Sequence, residues 1–196
     1  MLKKRFYILL FFCLLLGGNV NSSTVDKGDN NAPFENKRTE TDYLPIADPF
    51  VMLYNNKYYA YGTGGTVNEG FACFSSDDLK NWKRERQALS ADDSYGKWGF
   101  WAPEVYYIQS KKKFYMFYSV EEHICVATSD SPVGPFRQES KQPIWEEKSI
   151  DTSLFIDDDG TPYLYFVRFT DGNVIWVAQM TDDLMKIKKE TLSECI

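Results

Sequence analysis

Apolar and polar positions alternate over short stretches from residue 48 onward, and the same arrangement recurs three times. Each copy passes from an apolar stretch through a polar turn into an aromatic-rich stretch, and the copies start at Asp48, Ala102 and Asp151. Such alternation, interrupted by turn residues such as Asn55 and Asn56, is typical of two antiparallel strands joined by a tight turn. The pattern therefore predicts one β-hairpin per copy.

A second strand–turn–strand element follows each hairpin, and Trp82, Phe136 and Ile187 occupy matching positions in the three elements. The starts of the hairpins and these three matching positions both recur at intervals of roughly fifty residues, which is the spacing of β-propeller blades. No stretch has the sustained 3.6-residue apolar spacing of a helix. A β-sandwich is the alternative all-β fold, but it does not explain an internal repeat. We therefore predict an all-β chain with about three four-stranded blades.

The N-terminal segment differs from the repeats and has the features of a secretory signal. Three basic residues precede an unbroken apolar stretch over residues 7–16, and Val20 and Ser22 stand at the −3 and −1 positions of a cleavage site. A bilayer span needs about 20 apolar residues, so no membrane span is expected. Cys13 raises the alternative of a lipoprotein, although a bulky residue precedes it. We predict a signal peptide over residues 1–22 and a secreted or periplasmic protein.

Residues 23–41 are polar and lack apolar periodicity, which predicts a flexible linker. The blades then occupy residues 42–196. Known propellers have at least about four blades, and three alone would leave a sheet face and a sheet edge uncovered. We expect residues 42–196 to be the N-terminal part of a larger propeller.

Charge and composition narrow the class of partner. The chain has 28 acidic and 22 basic residues and a net charge of −6, and removal of the signal peptide would change it to −9. An acidic surface repels phosphate backbones, so nucleic acid is an unlikely partner. Aromatic residues make up 16% of the chain and provide flat faces that stack on sugar rings. A neutral oligo- or polysaccharide is the expected partner.

The residues that most often bind metals are scarce or poorly spaced. After the signal peptide the cysteines are Cys73, Cys125 and Cys195, an odd number without a C-x-x-C motif, which favours buried thiols over disulfides or zinc. His123 is the single histidine, so no histidine-based metal site or triad can form. The acidic residues 157–159 precede Gly160, and we interpret them as solvated turn residues. No metal site is predicted.

Two acidic residues stand at the same place in the repeat. Asp48 and Asp151 begin the innermost strand of blades one and three, and the inner strands of a propeller line its central channel. Each could instead have a local role, as a turn residue before Pro49 or as a cap at strand entry. Paired carboxylates in one pocket are what glycosidic bond cleavage requires, because one activates water while another protonates the leaving oxygen.

Three motifs, in this order, resemble glycoside hydrolase family 43: D-P-F at 48–50, W-A-P-E-V at 101–105 and I-D-T-S-L-F-I-D-D-D-G-T-P-Y-L at 150–164. The related invertase-like fructosidases share the fold but usually carry Asp-Pro-Asn at the first motif. The resemblance to family 43 implies a five-bladed β-propeller that hydrolyses O-glycosyl bonds with inversion. It implies Asp48 as general base and Asp151 as the carboxylate that modulates the pKa of the acid and orients it.

The resemblance also implies a general acid, a glutamate at the start of the fourth blade. Counting one repeat from Asp151 puts that residue beyond Ile196, so we expect the general acid to be absent from this chain. Glu194 is a weak substitute because it falls short of the repeat spacing. Glu104 is a candidate for contact with substrate, and Trp101 is a candidate platform for a sugar ring.

The predicted function is therefore hydrolysis of arabinose- or xylose-containing plant polysaccharides. The alternatives are a non-catalytic carbohydrate-binding propeller and an inactive fragment that lacks the general acid. No cofactor is expected. Some members of the family hold a calcium ion in the channel, but nothing in this sequence identifies its ligands.

Overall fold

The computed structural model of this chain describes residues 44–64 and 69–195, and these form three antiparallel sheets. The predicted signal peptide and linker, with the boundary at residue 42, lie outside the described residues and stay predictions. The first sheet contains β1 (Ile46–Tyr54), β2 (Lys57–Gly64), β3 (Gly70–Ser76) and β4 (Lys83–Ser90). The second contains β5 (Trp101–Ile108), β6 (Lys113–Val120) and β7 (His123–Ser129). The third contains β8 (Ser149–Ile156), β9 (Pro162–Arg168), β10 (Val174–Gln179) and β11 (Ser193–Glu194).

The strands of each sheet pair in chain order, beginning with the predicted hairpin. In the first hairpin Tyr54 pairs with Lys57, and Asn55 and Asn56 have φ values of 50° and 58°. Two successive positive φ values make the tight turn whose twist matches the twist of the strands. The prediction of an all-β propeller-type fold is confirmed, and the helical content of the described residues is limited to two single 3₁₀ turns.

The second sheet has three strands, so the prediction of four strands in each of the three blades is wrong for this one. Phe136 donates its N–H to the Ala88 carbonyl of the first sheet (2.7 Å), while Arg137 exchanges hydrogen bonds with Thr128 of β7. Pro135 has no N–H to contribute to a ladder. The segment therefore divides its hydrogen bonds between two sheets and forms only isolated bridges.

In the third sheet the outermost strand lies further along the chain than the repeat predicts. Ile187 forms an isolated bridge with Met180, and the fourth strand is Ser193–Glu194, which pairs with Trp176 and Val177. Glu194 thus lies on β11, three strands away from β8 in the sheet order. At about 4.8 Å per strand, that places it roughly 14 Å from the inner strand.

The hydrophobic core fills the two interfaces between consecutive sheets. Strand β6 is buried on both faces: Met116 and Tyr118 belong to the cluster against the first sheet, and Tyr115 and Phe117 to the cluster against the third. Because successive side chains of a strand point to opposite faces, one aromatic-rich strand supplies both interfaces. The middle sheet therefore holds the other two together.

The outer faces of the first and third sheets expose apolar side chains. Leu53 is 59% exposed and Val51 is 44% exposed on β1, while Phe155 is 45% exposed on β8 and Ile175 is 38% exposed on β10. On the opposite faces of β1 and β8, Met52 and Leu154 are buried in the core clusters, so these two strands carry apolar side chains on both faces. Within the described residues, no helix has the length and apolarity needed to cross a bilayer.

Candidate active site

Each of the three inner strands carries a β-bulge at the same point near its start. The pairing register shifts between Ala47 and Phe50 in β1, between Trp101 and Glu104 in β5, and between Ile150 and Ser153 in β8. In each bulge two residues of the inner strand stand opposite one residue of its neighbour. The bulges lie at one end of the sheets, and each of the three sheets has one.

The first residue of every bulge has a left-handed backbone conformation. Asp48, Ala102 and Asp151 have φ values of 46°, 44° and 55°. A left-handed conformation costs an L-residue about 1–2 kcal/mol, so three equivalent occurrences mean that the surrounding sheets impose it. Bulges bend the strand and redirect its side chains, and they are common beside active sites. The equivalence of Asp48 and Asp151 that the repeat predicts is therefore a property of the backbone.

The structure brings the Asp48 and Asp151 carboxylates within electrostatic reach of each other. The protein atoms around Asp151 reduce its hydration, which raises the pKa of its carboxyl, and the negative charge of Asp48 raises this pKa further. A like charge nearby disfavours the ionised form of a carboxyl, which is the effect that Asp48 has on Asp151. A pair of carboxylates with this coupling can both activate water and influence a neighbouring acid.

Glu104 joins the same group from the second sheet. Its side chain is half-buried, and this burial raises the pKa of its carboxyl, while hydrogen bonds from Tyr106 and Ser153 lower the pKa and the Asp151 charge raises it. The Tyr106 hydroxyl donates to Glu104 Oε2 and accepts the Leu154 N–H at 3.2 Å. The Glu104 carboxylate is thus held between the second and third sheets, close to Asp151.

Two hydroxyl side chains at this end of the sheets were missed by the sequence analysis. Thr63 donates to Asp48 Oδ2 at 2.8 Å and accepts the Ala102 N–H at 2.9 Å. Ser119 accepts the Asp151 N–H at 3.0 Å. The available signal was their matching place in the repeat, since each is the penultimate residue of the second strand of its blade.

Trp101 lies at the start of β5, directly before the bulge, and is half-buried. Its ring makes an edge contact with Trp98 at a centroid distance of 6.4 Å, and Trp98 is 50% exposed. Phe100 from the same loop is fully buried against Phe71 and Tyr118, so it belongs to the core. The two tryptophans therefore provide an aromatic surface at the start of β5, where the chain enters the bulge at Ala102.

The described residues provide no metal-binding cluster of three or more His, Cys, Asp or Glu side chains. Among residues 157–159, Asp157 and Asp159 accept backbone N–H groups of the hairpin turn and are exposed, as turn residues are. Cys73 and Cys125 are buried free thiols, as predicted, and Cys195 is an exposed free thiol. The calcium ion that some family members hold therefore has no identified ligands among residues 44–64 and 69–195.

The family model described as Glycosyl hydrolases family 43 matches residues 44–195, which includes both described segments and all three motifs. The chain belongs to glycosyl hydrolase family 43. Its three bulged inner strands are accordingly those of a family-43 propeller, and the carboxylates at the bulges lie in the part of the chain that the family model covers.

This family-43 chain is similar to two solved structures and to a curated fungal protein. The crystal structure of an endo-1,4-beta-xylanase of Bacteroides thetaiotaomicron is 86% identical, with a TM-score of 0.78, over 80% of this chain and 54% of that one. An endo-arabinase of the same organism is 28% identical, with a TM-score of 0.68, over 76% of this chain and 55% of that one. A probable arabinan endo-1,5-alpha-L-arabinosidase B of Aspergillus fumigatus is 27% identical over 80% of this chain and 46% of that protein. The chain thus spans about half the length of these relatives.

Proposed function

We propose that the protein to which this family-43 chain belongs is a glycosidase that hydrolyses O-glycosyl bonds with inversion in arabinose- or xylose-containing polysaccharides. The observation that carries the proposal is the pair of carboxylates at equivalent bulges, Asp48 and Asp151, with their electrostatic coupling. The similarity to an endo-1,4-beta-xylanase and to a probable arabinan endo-1,5-alpha-L-arabinosidase motivates the choice of pentose polymers.

In the proposed reaction Asp48 is the general base. One carboxylate oxygen removes a proton from a water molecule, whose oxygen bonds to the anomeric carbon on the face opposite the leaving group. The bond from the anomeric carbon to the leaving oxygen breaks as that oxygen receives a proton. The proposed proton donor of this step is the glutamate that the family resemblance implies.

Asp151 is proposed to keep that donor protonated and oriented. Its negative charge would raise the pKa of a neighbouring carboxylic acid through like-charge repulsion. Glu104 and Trp101 are proposed to contact the substrate: Glu104 through its half-buried carboxylate, and Trp101 by stacking on a sugar ring.

The test uses the complete family-43 domain and compares arabinan with xylan as substrates. Asp48→Asn should lower kcat by roughly 100-fold or more, the scale of general acid–base catalysis. Proton NMR of the first product formed should show the anomeric configuration inverted. The matched control is Asp130→Asn, since Asp130 is an exposed residue whose carboxylate pairs with Lys113.

Two results would contradict the proposal. One is an Asp48→Asn variant that retains wild-type kcat. The other is a wild-type domain that binds these polysaccharides without releasing sugar, which would support a non-catalytic carbohydrate-binding propeller instead.

We also propose export of this protein, on the basis of the basic and apolar pattern in residues 1–22. Secretion fits a polymeric substrate that is too large to enter a cell. N-terminal sequencing of the protein recovered outside the cytoplasm should begin at Ser23, and a mature protein beginning at Met1 would contradict this.

A further inference from the structure

We infer that Thr63 and Ser119 are positioning residues that hold the two carboxylate-bearing bulges in place. The inference rests on the proposed roles of Asp48 and Asp151, and it adds two hydroxyl groups to the residues that the reaction depends on. Neither residue belongs to the three sequence motifs of the family resemblance.

Thr63 connects the first two sheets at the bulges. Its hydroxyl has one hydrogen, and the acceptor of that hydrogen is Asp48 Oδ2 at 2.8 Å. The Thr63 hydroxyl oxygen also accepts the N–H of Ala102 at 2.9 Å, so a lone pair of this oxygen faces the second sheet. A hydroxyl that accepts from a fixed amide has a fixed orientation, and its hydrogen is therefore directed at Asp48.

This arrangement acts on one oxygen of the Asp48 carboxylate. A donor on Oδ2 fixes the rotation of the group and leaves the other oxygen, Oδ1, for a water molecule. A general base has to lie within hydrogen-bonding distance of the proton it removes, so a fixed orientation contributes directly to the rate.

Ser119 repeats the contact one blade later. Thr63 pairs with Ala47 and Ser119 pairs with Trp101, so both occupy the same register near the end of the second strand. Ser119 is fully buried, and its hydroxyl oxygen accepts the N–H of Asp151 at 3.0 Å. In both cases a hydroxyl of one blade binds the N–H of the left-handed bulge residue of the next blade.

The two contacts explain how a strained backbone conformation is retained. Ala102 and Asp151 are in the left-handed region, which L-residues rarely adopt. A hydrogen bond to the N–H of each bulge residue offsets part of the cost of that conformation. The repeated hydroxyl therefore keeps the bulges, and with them the Asp48 and Asp151 side chains, in register across three sheets.

The experiment compares Thr63→Val, Thr63→Ser and Ser119→Ala in the complete family-43 domain. Valine keeps the shape of threonine and removes the hydroxyl. We expect Thr63→Val and Ser119→Ala to lower kcat by roughly 10- to 100-fold while KM changes less than about twofold, because orientation is lost and substrate contacts remain. Thr63→Ser should restore kcat to within a few-fold of wild type.

Ser75→Ala is the matched control, since the Ser75 hydroxyl also donates to a carboxylate, Glu85, at 2.6 Å, but on the outer strands of the first sheet. It should leave kcat unchanged. The inference is overturned if Thr63→Val retains wild-type kcat, if Thr63→Ser is as impaired as Thr63→Val, or if Ser75→Ala causes an equal loss. If Thr63→Val does not fold, Thr63→Ala takes its place.

A crystal structure of Thr63→Val separates this inference from the proposed function. We expect the Asp48 carboxylate to rotate away from its wild-type position and the Ala102 backbone to relax. An unchanged Asp48 and Ala102 would overturn the positioning role. If the wild-type domain hydrolyses no substrate, the proposed function fails, and this structural comparison still decides the inference.

Discussion

Burial raises the pKa of Asp151 and the negative charge of Asp48 raises it further, although the two residues belong to the first and third sheets, with the second sheet between them. Each is the left-handed residue of a bulge, and the intervening Ala102 holds the same position in the second sheet. The two carboxylates come within electrostatic reach of each other because three successive sheets place their bulges at the same level. This coupling makes the stability of the protein and its proposed activity depend on the same residue, Asp151.

The first prediction concerns Asp151→Asn. The pKa of Asp151 is raised above its ordinary value of 3.8, so the folded protein binds this proton more tightly than the unfolded chain does. The ionised carboxylate therefore destabilises the fold at pH 7, and this cost disappears below the ordinary value, where both states are protonated. Asp151→Asn should raise Tm slightly at pH 7 and leave it unchanged at pH 3.

The same variant should lower kcat by roughly 100-fold or more. The gain in Tm is small because water screens an exposed carboxylate. Calorimetry at the two pH values and steady-state kinetics check both effects. An equal change in Tm at both pH values would show that the charge of Asp151 is not the cause.

The second prediction concerns Tyr106→Phe. The Tyr106 hydroxyl donates to Glu104 and accepts from the Leu154 N–H, and its hydrogen bond lowers the pKa of Glu104. Its removal should raise the pKa of Glu104 further and reduce the free energy of unfolding by about 1–2 kcal/mol, because a buried amide loses its partner.

Carbon-13 NMR titration of the Glu104 carboxyl measures the first effect, and urea unfolding measures the second. Tyr58→Phe on β2 is the control and should change neither quantity. A Glu104 titration that is identical in Tyr106→Phe and wild type would show that the Tyr106 hydroxyl does not act on this carboxyl.

The third prediction concerns the aromatic surface of Trp101 and Trp98. Trp101→Ala should raise KM by roughly 5- to 10-fold, since a lost stacking contact is worth about 1 kcal/mol. Trp101→Phe keeps a flat ring and should lose less. Trp82→Ala, at the outer edge of the first sheet, is the control for KM measured on the complete domain. A KM that does not respond to Trp101→Ala would exclude this ring as a sugar platform.

The fourth prediction concerns the strand that is buried on both faces. Phe117 on β6 is fully buried and contacts Tyr106 edge-on at a centroid distance of 6.2 Å. Phe117→Ala should reduce the free energy of unfolding by about 3–5 kcal/mol because it leaves a cavity between the second and third sheets. Leu79→Ala, at a 48% exposed residue, should cost less than about 1 kcal/mol. Denaturant unfolding of both variants tests the difference.

Much of the fold follows from local sequence pattern. The turn at Asn55 and Asn56 was predicted because these residue types tolerate positive φ, and the structure has both in that region. The buried thiols of Cys73 and Cys125 followed from the apolar strands around them. The prediction of a fourth strand in the second blade was wrong, because Phe136 donates its N–H to Ala88 of a different sheet. No pattern in the neighbouring sequence indicates that hydrogen bond.

The candidate site also contains residues that the sequence predicts and residues that only the structure identifies. Asp48 and Asp151 stood out because the repeat puts a carboxylate at matching positions of two inner strands. Thr63 and Ser119 did not stand out, since hydroxyl residues near strand ends are common and usually bind water. Their role depends on which backbone N–H of the neighbouring sheet comes within hydrogen-bonding distance.

By itself, the sequence of this family-43 chain determined the strands, their turns and the equivalence of the repeats, because these depend on residues close to one another along the chain. Tertiary structure alone decided the left-handed bulges, the hydroxyl contacts between blades and the coupling of Asp48 with Asp151. The physical reason is that a backbone conformation which costs energy locally persists only where neighbouring sheets supply compensating contacts. Those contacts arise between residues that are far apart in the chain.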